Sequence, residues 1–295
     1  MIDSIGIVGQ GFVGSAVREG FRQVCTVCTY DKRFGAMVYQ GQAAHTATVA
    51  DALQWVLETA SGPIFLCLPT PMQKDGRCDT GLLDETVQHL DDLAETLGKR
   101  PVIVIKSTVE PGTTARLHAR CRAAQVCFNP EFLREATFVE DFKNQDRIVL
   151  GGPPEAAAVV AELFQRRFPG VPLLCTDATT AEMVKYVTNA FLALKVSFAN
   201  EIKGICDRLA IDYNEVVQLA TLDQRLGASH WSVPGPDGKP GFSGSCFPKD
   251  LNALMHLAAS LGAMHNTLQA AWSTNLAVRP ERDWEQLHGR AVNFK

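Results

Sequence analysis

The stretch Ile5-Gly-Ile-Val-Gly-Gln-Gly-Phe-Val-Gly14 joins a short apolar run to a glycine-rich turn. Residues 15–21 have a helical pattern, and a second apolar run, residues 24–30, leads to Asp31. Strand, glycine turn, helix, strand and acidic residue in this order form the fingerprint of a dinucleotide-binding βαβ unit. The sequence therefore predicts that the fold begins with a Rossmann-type unit.

The residues of this turn have separate tasks in such a unit. Gly9 permits the tight turn, Gly11 lets the backbone approach a pyrophosphate, and Gly14 lets the helix pack closely on the strand. The helix N-terminus that follows Phe12 and Val13 holds the phosphates through its unpaired N–H groups. We predict that these five residues bind the cofactor.

Asp31 lies at the end of the second strand, where a carboxylate binds the ribose 2′-hydroxyl of NAD. The sequence favours NAD, because a carboxylate would repel the 2′-phosphate of NADP. Lys32 and Arg33 follow directly and could pair with that phosphate, which leaves NADP as an alternative. Lys32 is therefore also a candidate cofactor-binding residue.

Helical and strand patterns alternate as far as Asp177. Helical patterns cover residues 49–59, 82–97, 113–124 and 155–168, and strand patterns cover residues 63–68, 102–105, 126–128, 148–150 and 173–175. Such alternation predicts an α/β fold in which a mostly parallel sheet has helices on both faces. We assign residues 1–177 to this Rossmann-type, NAD-binding domain.

The chain after Asp177 is almost entirely helical in pattern. Residues 178–209 form one long apolar-rich segment, and shorter helical patterns follow at residues 214–220, 251–261, 266–277 and 282–287. We therefore predict a long central helix followed by a small all-α domain, which together take up residues 178–295.

Three polar loops follow strands of the predicted sheet. They are Pro69-Thr-Pro71, Lys106-Ser-Thr-Val-Glu-Pro-Gly112 and Asn129-Pro-Glu-Phe-Leu-Arg-Glu135. Ligands of parallel α/β sheets bind beyond the C-terminal ends of the strands. Each loop alone is compatible with an ordinary turn, but their common position favours a shared ligand site.

The segment Gly241-Phe-Ser-Gly-Ser-Cys-Phe-Pro-Lys-Asp250 places a cysteine just before a predicted helix. Unpaired N–H groups and the positive end of the helix dipole favour a thiolate there, and Lys249 adds a positive charge. A nucleophilic Cys246 is one interpretation of this pattern. The alternative is that Cys246 is a small buried hydrophobe and Asp250 a plain N-cap.

Lys185 and Asn189 are four residues apart in the long helical segment and share one face. Their neighbours are apolar, so a buried lysine here would need a charged partner or an anion that visits the site. The alternative is a lysine that extends to solvent and an exposed amide. Spacing alone does not separate the two.

Composition excludes several classes of function. Apolar residues make up 46% and charged residues 20%, with a net charge of −4, as in ordinary globular proteins. This charge argues against nucleic-acid and anionic-membrane partners, and we expect no signal peptide, membrane span or metal. The nine scattered cysteines suit reduced thiols in the cytoplasm, and the pair Cys25 and Cys28 lacks a second pair for a metal or redox role.

Taken together, the motifs resemble the UDP-glucose/GDP-mannose dehydrogenase family over nearly the whole chain. The motifs that carry the resemblance are Gly9–Gly14, Thr70-Pro71, Lys106-Ser-Thr108, Asn129–Glu135, Lys185 with Asn189, Asp223-Gln-Arg225 and Gly241–Asp250. They occur in the order of that family and are jointly specific, although they do not identify the substrate.

The resemblance implies an NAD-dependent double oxidation of a nucleotide-sugar primary alcohol. Cys246 would capture the intermediate aldehyde as a thiohemiacetal, which a second oxidation turns into a thioester. Lys185 and Asn189 would stabilise the developing oxyanion. Proton transfer would fall to Asp250 with Thr108, and Glu131 would activate the hydrolytic water.

The resemblance also implies ligand contacts and a homodimer. Substrate-binding residues would be Phe132, Leu133, Lys185, Asn189, Arg225, Phe242 and Gly244. Further cofactor-binding residues would be Thr70, Pro71, Thr108, Glu135 and Lys249. Arg225 would reach the site of the neighbouring subunit, in a dimer built around residues 178–209.

Two departures from the family pattern leave alternatives open. The chain ends at Lys295, about where a third, nucleotide-covering domain would begin, so we expect a short form without that domain. An insert, residues 230–240, precedes the cysteine segment and either covers the substrate or is a surface loop. The rival functions are a two-electron β-hydroxyacid-type dehydrogenase and a non-catalytic NAD-binding subunit.

Overall fold

The structure is a computed structural model that describes residues 2–38, 42–44 and 48–294. Its internal contacts divide the chain into two units. The first unit is Met1–Thr70 with Thr80–Lys185, and the second is Pro71–Asp79 with Tyr186–Lys295. The domain boundary that we expect after residue 177 stays a prediction. That boundary is defined by the start of the helical pattern, whereas the two units are defined by their internal contacts.

The first unit is built on one sheet. Its strands in the described residues are β1 Ser4–Val8, β2 Thr26–Asp31, β3 Gly35–Val38, β4 Gln42–Ala44, β5 Ile64–Leu66, β6 Val102–Ile105, β7 Gln125–Phe128, β8 Ile148–Gly151 and β9 Leu173–Thr176. Their order is β4-β3-β2-β1-β5-β6-β7-β8-β9. Pairs β2–β3, β3–β4 and β7–β8 are antiparallel and the others parallel, which confirms the mostly parallel α/β fold.

Helices cover both faces of this sheet because successive strand side chains point to opposite faces. The helices are α1 Phe12–Phe21, α2 Val49–Thr59, α3 Gly81–Thr96, α4 Thr113–Arg120, α5 Phe138–Lys143 and α6 Pro154–Arg167. One core joins α1, α5 and α6 to strand residues such as Ile5 and Ile7, and the other joins α2, α3 and α4 to residues such as Ile64 and Leu66. Each fully buried aliphatic side chain stabilises the fold by about 1.5–3 kcal/mol.

The sheet places the glycine turn and the polar loops at one edge. β1 pairs in parallel with β2 on one side and with β5 on the other, so the strand order changes direction at β1. β5, β6 and β7 are consecutive parallel neighbours, with Leu66 opposite Ile105 and Ile105 opposite Phe128. The loops that follow these strands therefore leave from the same edge, as their sequence positions predict.

The second unit is helical and contains the long helix α7, Ala178–Leu209, from Tyr186 onward. The bounds of α7 match the prediction. The unit also contains α8 Tyr213–Ala220, α9 Phe247–Ser260, α10 Asn266–Val278 and short 3₁₀ turns at Gln224–Leu226 and Asp283–Gln286. Its core includes Ala190 and Ala193 of α7 with Phe242, Leu251 and Ala271. No helix in the described ranges has the length and apolarity needed to cross a bilayer.

Some elements differ from the sequence prediction. The antiparallel strands β3 and β4 and the short helix α5 carry too weak a periodicity to be recognised. Helix α4 ends at Arg120, not at residue 124. Helix α9 begins at Phe247, four residues before the predicted start, because Pro248 lies in the first turn, where a missing N–H costs nothing.

Candidate active site

The glycine turn of the first unit is tightly packed on one side and open on the other. A Cβ at Gly9, where φ is +94°, would lie 2.3 Å from the carbonyl oxygen of Cys67, and a Cβ at Gly14 would lie 1.9 Å from that of Gly9. A Cβ at Gly11 would meet nothing within 4 Å. α1 begins at Phe12, so its N–H groups start at this open face, which fits a pyrophosphate.

Asp31 is the last residue of β2, and its carboxylate is fixed beside this turn. It accepts hydrogen bonds from the backbone N–H of Gln10 at 2.6 Å and of Arg33 at 2.8 Å, and from Arg33 Nε at 3.1 Å. Burial alone would raise the pKa of Asp31, but these donors outweigh it and hold the pKa below its usual value. Lys32 is exposed. An ionised carboxylate at this place fits the ribose of NAD.

A buried ion pair joins Glu131 to Lys185 in the first unit. Lys185 Nζ lies 2.9 Å from Glu131 Oε1 and donates to the Glu131 carbonyl oxygen at 2.7 Å. Glu131 Oε2 accepts the N–H of Leu133 at 2.7 Å. Burial raises the pKa of Glu131, but Lys185 and the Leu133 N–H outweigh it and lower the pKa below that of a free glutamate.

Lys106 is a second buried lysine close to this pair. Its Nζ donates to Asn129 Oδ1 at 2.8 Å and to the Pro130 carbonyl oxygen at 3.3 Å. Burial lowers the pKa of Lys106 to about 8, with partial compensation from Cys67 and Glu131. The lysine thus fixes the backbone that leads directly into Glu131.

The remaining predicted residues of this unit lie around these groups. Thr70 Oγ1 donates to the carbonyl oxygen of Thr108 at 2.7 Å, which joins the loops after β5 and β6. The Phe132 ring centroid lies 5.8 Å from Lys185 Nζ. Glu135 is exposed at the surface of the unit.

In the second unit, Cys246 is the N-cap of α9, as the sequence pattern predicts. Its thiol is partly exposed, and its carbonyl oxygen accepts the N–H of Asp250 at 2.9 Å. Asp250 is buried inside the first turns of the helix, which excludes the plain N-cap interpretation. Asn189 Nδ2 donates to Asp250 Oδ2 at 2.5 Å, and Lys249 Nζ pairs with Asp250 Oδ1.

Lys249 places a positive charge beside Cys246. Burial would lower the pKa of Lys249, but Asp250, Cys246 and Cys78 outweigh it and raise the pKa above that of a free lysine. Lys249 therefore stays an ammonium near a thiol that also caps a helix N-terminus. This combination is what a nucleophilic cysteine requires.

The structure settles the open question about Lys185 and Asn189. Their exposed fractions are 3% and 6%, so neither extends to solvent. Lys185 has the charged partner that a buried lysine requires, and Asn189 has a carboxylate to bind.

The loop before Cys246 is held by two asparagines. Gly241 N–H donates to Asn200 Oδ1 at 3.2 Å, and Phe242 N–H donates to Asn275 Oδ1 at 2.7 Å. Gly241 and Gly244 have φ of +70° and +78°, a conformation that suits glycine. The backbone of this predicted substrate loop is therefore well defined.

Two predicted residues of the second unit do not join these clusters. Arg225 has an exposed fraction of 89% for its side chain and pairs with Asp223 at 2.5 Å. Pro71 is buried in the segment Pro71–Asp79, where its carbonyl oxygen accepts the Asp79 N–H at 2.9 Å.

Comparison with known proteins identifies the family. Residues 36–168 match the model described as UDP-glucose/GDP-mannose dehydrogenase family, NAD binding domain, and residues 179–277 match that of its central domain. The chain belongs to the UDP-glucose/GDP-mannose dehydrogenase family. The cofactor of this family's first domain is NAD, which confirms the prediction made from Asp31.

Individual members of the family show how much of the chain is shared. UDP-glucose 6-dehydrogenase AglM of Haloferax volcanii is 33% identical over 97% of this chain and 72% of its own length. UDP-glucose 6-dehydrogenase TuaD of Bacillus subtilis is 36% identical, over 73% of this chain but 46% of its own length. A UDP-glucose dehydrogenase structure from Pyrobaculum islandicum has a TM-score of 0.81 at 30% identity, covering 94% of this chain and 68% of that chain. The chain thus spans about half to three quarters of these family members.

Several buried groups of this family member were not singled out from the sequence. They include Lys106, Asn275 and Arg279, which are buried in the structure. Glu182 accepts the N–H groups of Gly112 at 2.6 Å and Thr114 at 2.7 Å, and so caps α4 from α7. A polar residue in an apolar helical run, such as Asn275 in α10, is the one signal that could have revealed them.

Proposed function

We propose that the chain catalyses an NAD-dependent, four-electron oxidation of a nucleotide-sugar primary alcohol, of the UDP-glucose to UDP-glucuronate type. Family membership supports the substrate class, since relatives carry the name UDP-glucose 6-dehydrogenase. The single observation that carries the reaction type is Cys246 at the N-terminus of α9 beside a charged Lys249. A two-electron dehydrogenase has no use for such a thiolate.

In this proposal Cys246 divides the reaction into two oxidations. The alcohol loses a hydride and a proton and becomes an aldehyde. A separate NAD⁺, held at the glycine turn, would supply the hydride acceptor for each of the two oxidations. The Cys246 sulfur then adds to the aldehyde carbon and gives a thiohemiacetal, which again carries a removable hydride. Loss of that hydride and a proton leaves a thioester on Cys246, and water releases the carboxylate and the thiol.

Lys185 and Asn189 are proposed to stabilise the oxyanion that develops at the reacting carbon. An ammonium and an amide N–H are both suitable donors for such charge, and burial strengthens their effect. Asp250 is proposed to exchange the proton of the hydroxyl, with Thr108 placing a water. Asn189 and Lys249 bind one oxygen of Asp250 each, which fixes the orientation of that carboxylate.

Glu131 is proposed to activate the water that hydrolyses the thioester. A base must be unprotonated at the working pH, and the low pKa of Glu131 meets this condition. Its two oxygens are oriented by Lys185 and the Leu133 N–H. Phe132, Leu133, Phe242 and Gly244 are proposed to contact the sugar nucleotide, and Thr70, Pro71, Glu135 and Lys249 to lie near the cofactor.

The experiment that tests the reaction is product stoichiometry. A panel of UDP-, GDP- and TDP-sugars is incubated with NAD⁺ or NADP⁺, and reduced cofactor and uronate are counted in the same sample. We expect two reduced cofactors per uronate with NAD⁺. One reduced cofactor per product would favour the two-electron dehydrogenase. Cofactor binding without turnover of any sugar would favour a non-catalytic subunit.

We also propose that the chain forms a homodimer through α7, with Arg225 reaching the partner's site. An apolar stripe on α7 supports this proposal: Val187, Phe191, Phe198, Ile205 and Leu209 have exposed fractions between 52% and 63%. Exposed apolar patches of this kind mark protein interfaces. Sedimentation velocity is expected to show a dimer, and Phe191→Asp is expected to yield monomers. A wild-type monomer at micromolar concentration contradicts the proposal.

The cytoplasm remains the proposed location, on the composition of the chain. Nine cysteines is an odd number, and their scattered positions suit thiols that are kept reduced. NAD⁺ and nucleotide sugars are also cytoplasmic metabolites in this scheme. Fractionation of cells that express a tagged chain tests the location directly.

A further inference from the structure

Arg279 is a buried arginine to which the proposed mechanism gives no task. Its exposed fraction is 2% in the second unit. A guanidinium cannot lose its proton in a protein, so its burial is favourable only if anions and carbonyls take up its donors. The groups that do so come from the insert and from the 3₁₀ turn after α10.

Two carboxylates and a carbonyl surround this guanidinium. Arg279 Nη2 lies 2.5 Å from Asp237 Oδ2 and 2.6 Å from Asp283 Oδ2, and Nε donates to Asp283 Oδ1 at 2.9 Å. Nη1 donates to the carbonyl oxygen of Pro240 at 3.2 Å. Asp237 and Pro240 belong to the insert, so Arg279 binds the insert at two points.

Asp283 connects Arg279 to the loop before Cys246. The hydroxyl of Ser243 donates to Asp283 Oδ1 at 2.5 Å. This contact requires a hydroxyl at residue 243, which Ser243 supplies. Lys239 of the insert adds ion pairs with Glu281 at 3.1 Å and Asp283 at 3.4 Å.

We propose that Arg279 is a positioning residue: through Asp237 on one side and Asp283 with Ser243 on the other, it locks the insert to the Gly241–Gly244 loop and holds that loop in its substrate-binding conformation. The insert is then neither an independent surface loop nor a separate cover but the support of the loop. This inference rests on the proposed function in one respect, namely that Phe242 and Gly244 contact the nucleotide sugar.

In this arrangement, a network of side chains that do not themselves contact the substrate sets the affinity for it. Charge-assisted hydrogen bonds are directional, and a loop held by them loses little further entropy when a ligand binds. Loosening the network therefore lowers affinity for the sugar nucleotide while the reacting groups keep their places. The expected signature is a higher KM for the nucleotide sugar at nearly unchanged kcat.

The test uses two mild variants of the full chain, Ser243→Ala and Asp237→Asn. Both side chains lie at the rim of the network, so the buried arginine keeps its remaining partners in each. We expect KM for the nucleotide sugar to rise about tenfold in each variant, with kcat and KM for NAD⁺ within about twofold of wild type. Ser243→Thr, which keeps the hydroxyl, is expected to restore KM.

A matched control is Ser260→Ala, which removes an exposed hydroxyl that donates to its own helix at Leu257 O, 2.8 Å away. This variant is expected to match wild type in all constants. Hydrogen exchange of residues 235–245, followed by mass spectrometry, gives a readout without turnover. We expect about tenfold faster exchange in Ser243→Ala and Asp237→Asn than in Ser260→Ala.

Two other outcomes overturn the proposal. Unchanged KM and unchanged exchange in both variants of an active enzyme mean that the network does not position the loop. If kcat falls and both KM values rise by similar factors, together with a lower Tm, the network serves overall stability only. A wild-type chain that turns over no nucleotide sugar removes the proposed function itself, whereas the exchange data still decide whether the insert and loop are locked.

Discussion

The two units each contain a lysine–carboxylate pair, but the ionisable groups around the two pairs differ in kind. Lys185 pairs with Glu131 while a second lysine, Lys106, interacts with both of them. Lys249 pairs with Asp250 while the thiols of Cys246 and Cys78 interact with the lysine. The first cluster has surplus positive charge and the second has surplus groups that can become negative.

In the proposed mechanism, this difference lets one kind of ion pair support two kinds of chemistry. Surplus positive charge lowers the pKa of Glu131, so its carboxylate remains a base. Surplus potential anions raise the pKa of Lys249, so its ammonium remains available to stabilise a thiolate. A base for water and a nucleophile for an aldehyde are the two groups that a thioester route requires.

The largest expected effect comes from the second cluster. Cys246→Ser replaces the thiol by a hydroxyl that does not ionise at neutral pH, and we expect kcat for uronate formation to fall by about 10⁴-fold or more. The measurement is NADH formation with a nucleotide sugar. Cys175→Ser, which changes an exposed cysteine, serves as the control and should match wild type. Near wild-type turnover in Cys246→Ser would mean that the second cluster does not supply the nucleophile.

The next effect belongs to the first cluster. Glu131→Gln keeps the shape but removes the base, so we expect kcat to fall by about 10³-fold and the thioester to accumulate. Intact-protein mass spectrometry during turnover should show an acyl adduct on Cys246. Glu140→Gln changes an exposed glutamate near the same loop and is expected to show neither effect. Loss of activity without an adduct would assign Glu131 to an earlier step.

Asn189→Ala tests whether the hydrogen bond that Asn189 donates to Asp250 in the second cluster is needed for turnover. This bond corresponds to the one that the Leu133 N–H donates to Glu131 in the first cluster. The variant leaves Asp250 Oδ2 without its 2.5 Å donor and removes a proposed oxyanion donor, so we expect kcat to fall by about 10²-fold. Steady-state kinetics of this variant and of the exposed Asn214→Ala measure the difference. Equal kcat in the two variants would remove Asn189 from the proposed mechanism.

The smallest expected effect is a change in stability with pH, and it concerns Lys106 of the first cluster. The pKa of Lys106 is about 8 in the folded chain. In the unfolded chain it is about 10.4, so between these pH values the unfolded state binds the extra proton. The free energy of unfolding should therefore rise with pH in this window by up to about 1.4 kcal/mol per unit, and Lys106→Met should lack this rise.

Urea unfolding at pH 8, 9 and 10 provides the measurement for this prediction. The exposed Lys74→Met is the control and should keep the slope of wild type. A wild-type stability that falls with pH across the window, relative to Lys106→Met, would mean that Lys106 is charged in the folded state and that the surplus positive charge around Glu131 is larger than inferred.

Much of the candidate site follows from the sequence because its key contacts are local. Gly9 has a φ of +94° and Gly14 packs against the Gly9 carbonyl oxygen within one turn, and Cys246 lies at the start of the helix that begins at the next residue. The spacing of Lys185 and Asn189 likewise fixes a common helix face. Such features depend on neighbours within a few residues, so a single sequence is sufficient to predict them.

Other features could not be predicted because no local rule contains them. Lys185 finds Glu131 across 54 residues, and Asn189 finds Asp250 across 61. The sequence left open whether Lys185 and Asn189 are buried, since an apolar face with one lysine is equally compatible with solvent access. The sequence pattern also does not predict the antiparallel strands β3 and β4, because short antiparallel strands are stabilised by pairing rather than by their own pattern.

The amino-acid sequence by itself determined the dinucleotide turn, the alternating sheet, the long helix and the thiol at a helix start, because these depend on the order of nearby residues. Only the tertiary structure decided which ionisable groups lie close together: Lys106 with Glu131 and Lys185, Cys78 with Lys249, and Arg279 with Asp237 and Asp283. Charge interactions depend on distance and on exclusion of water, and packing alone sets both.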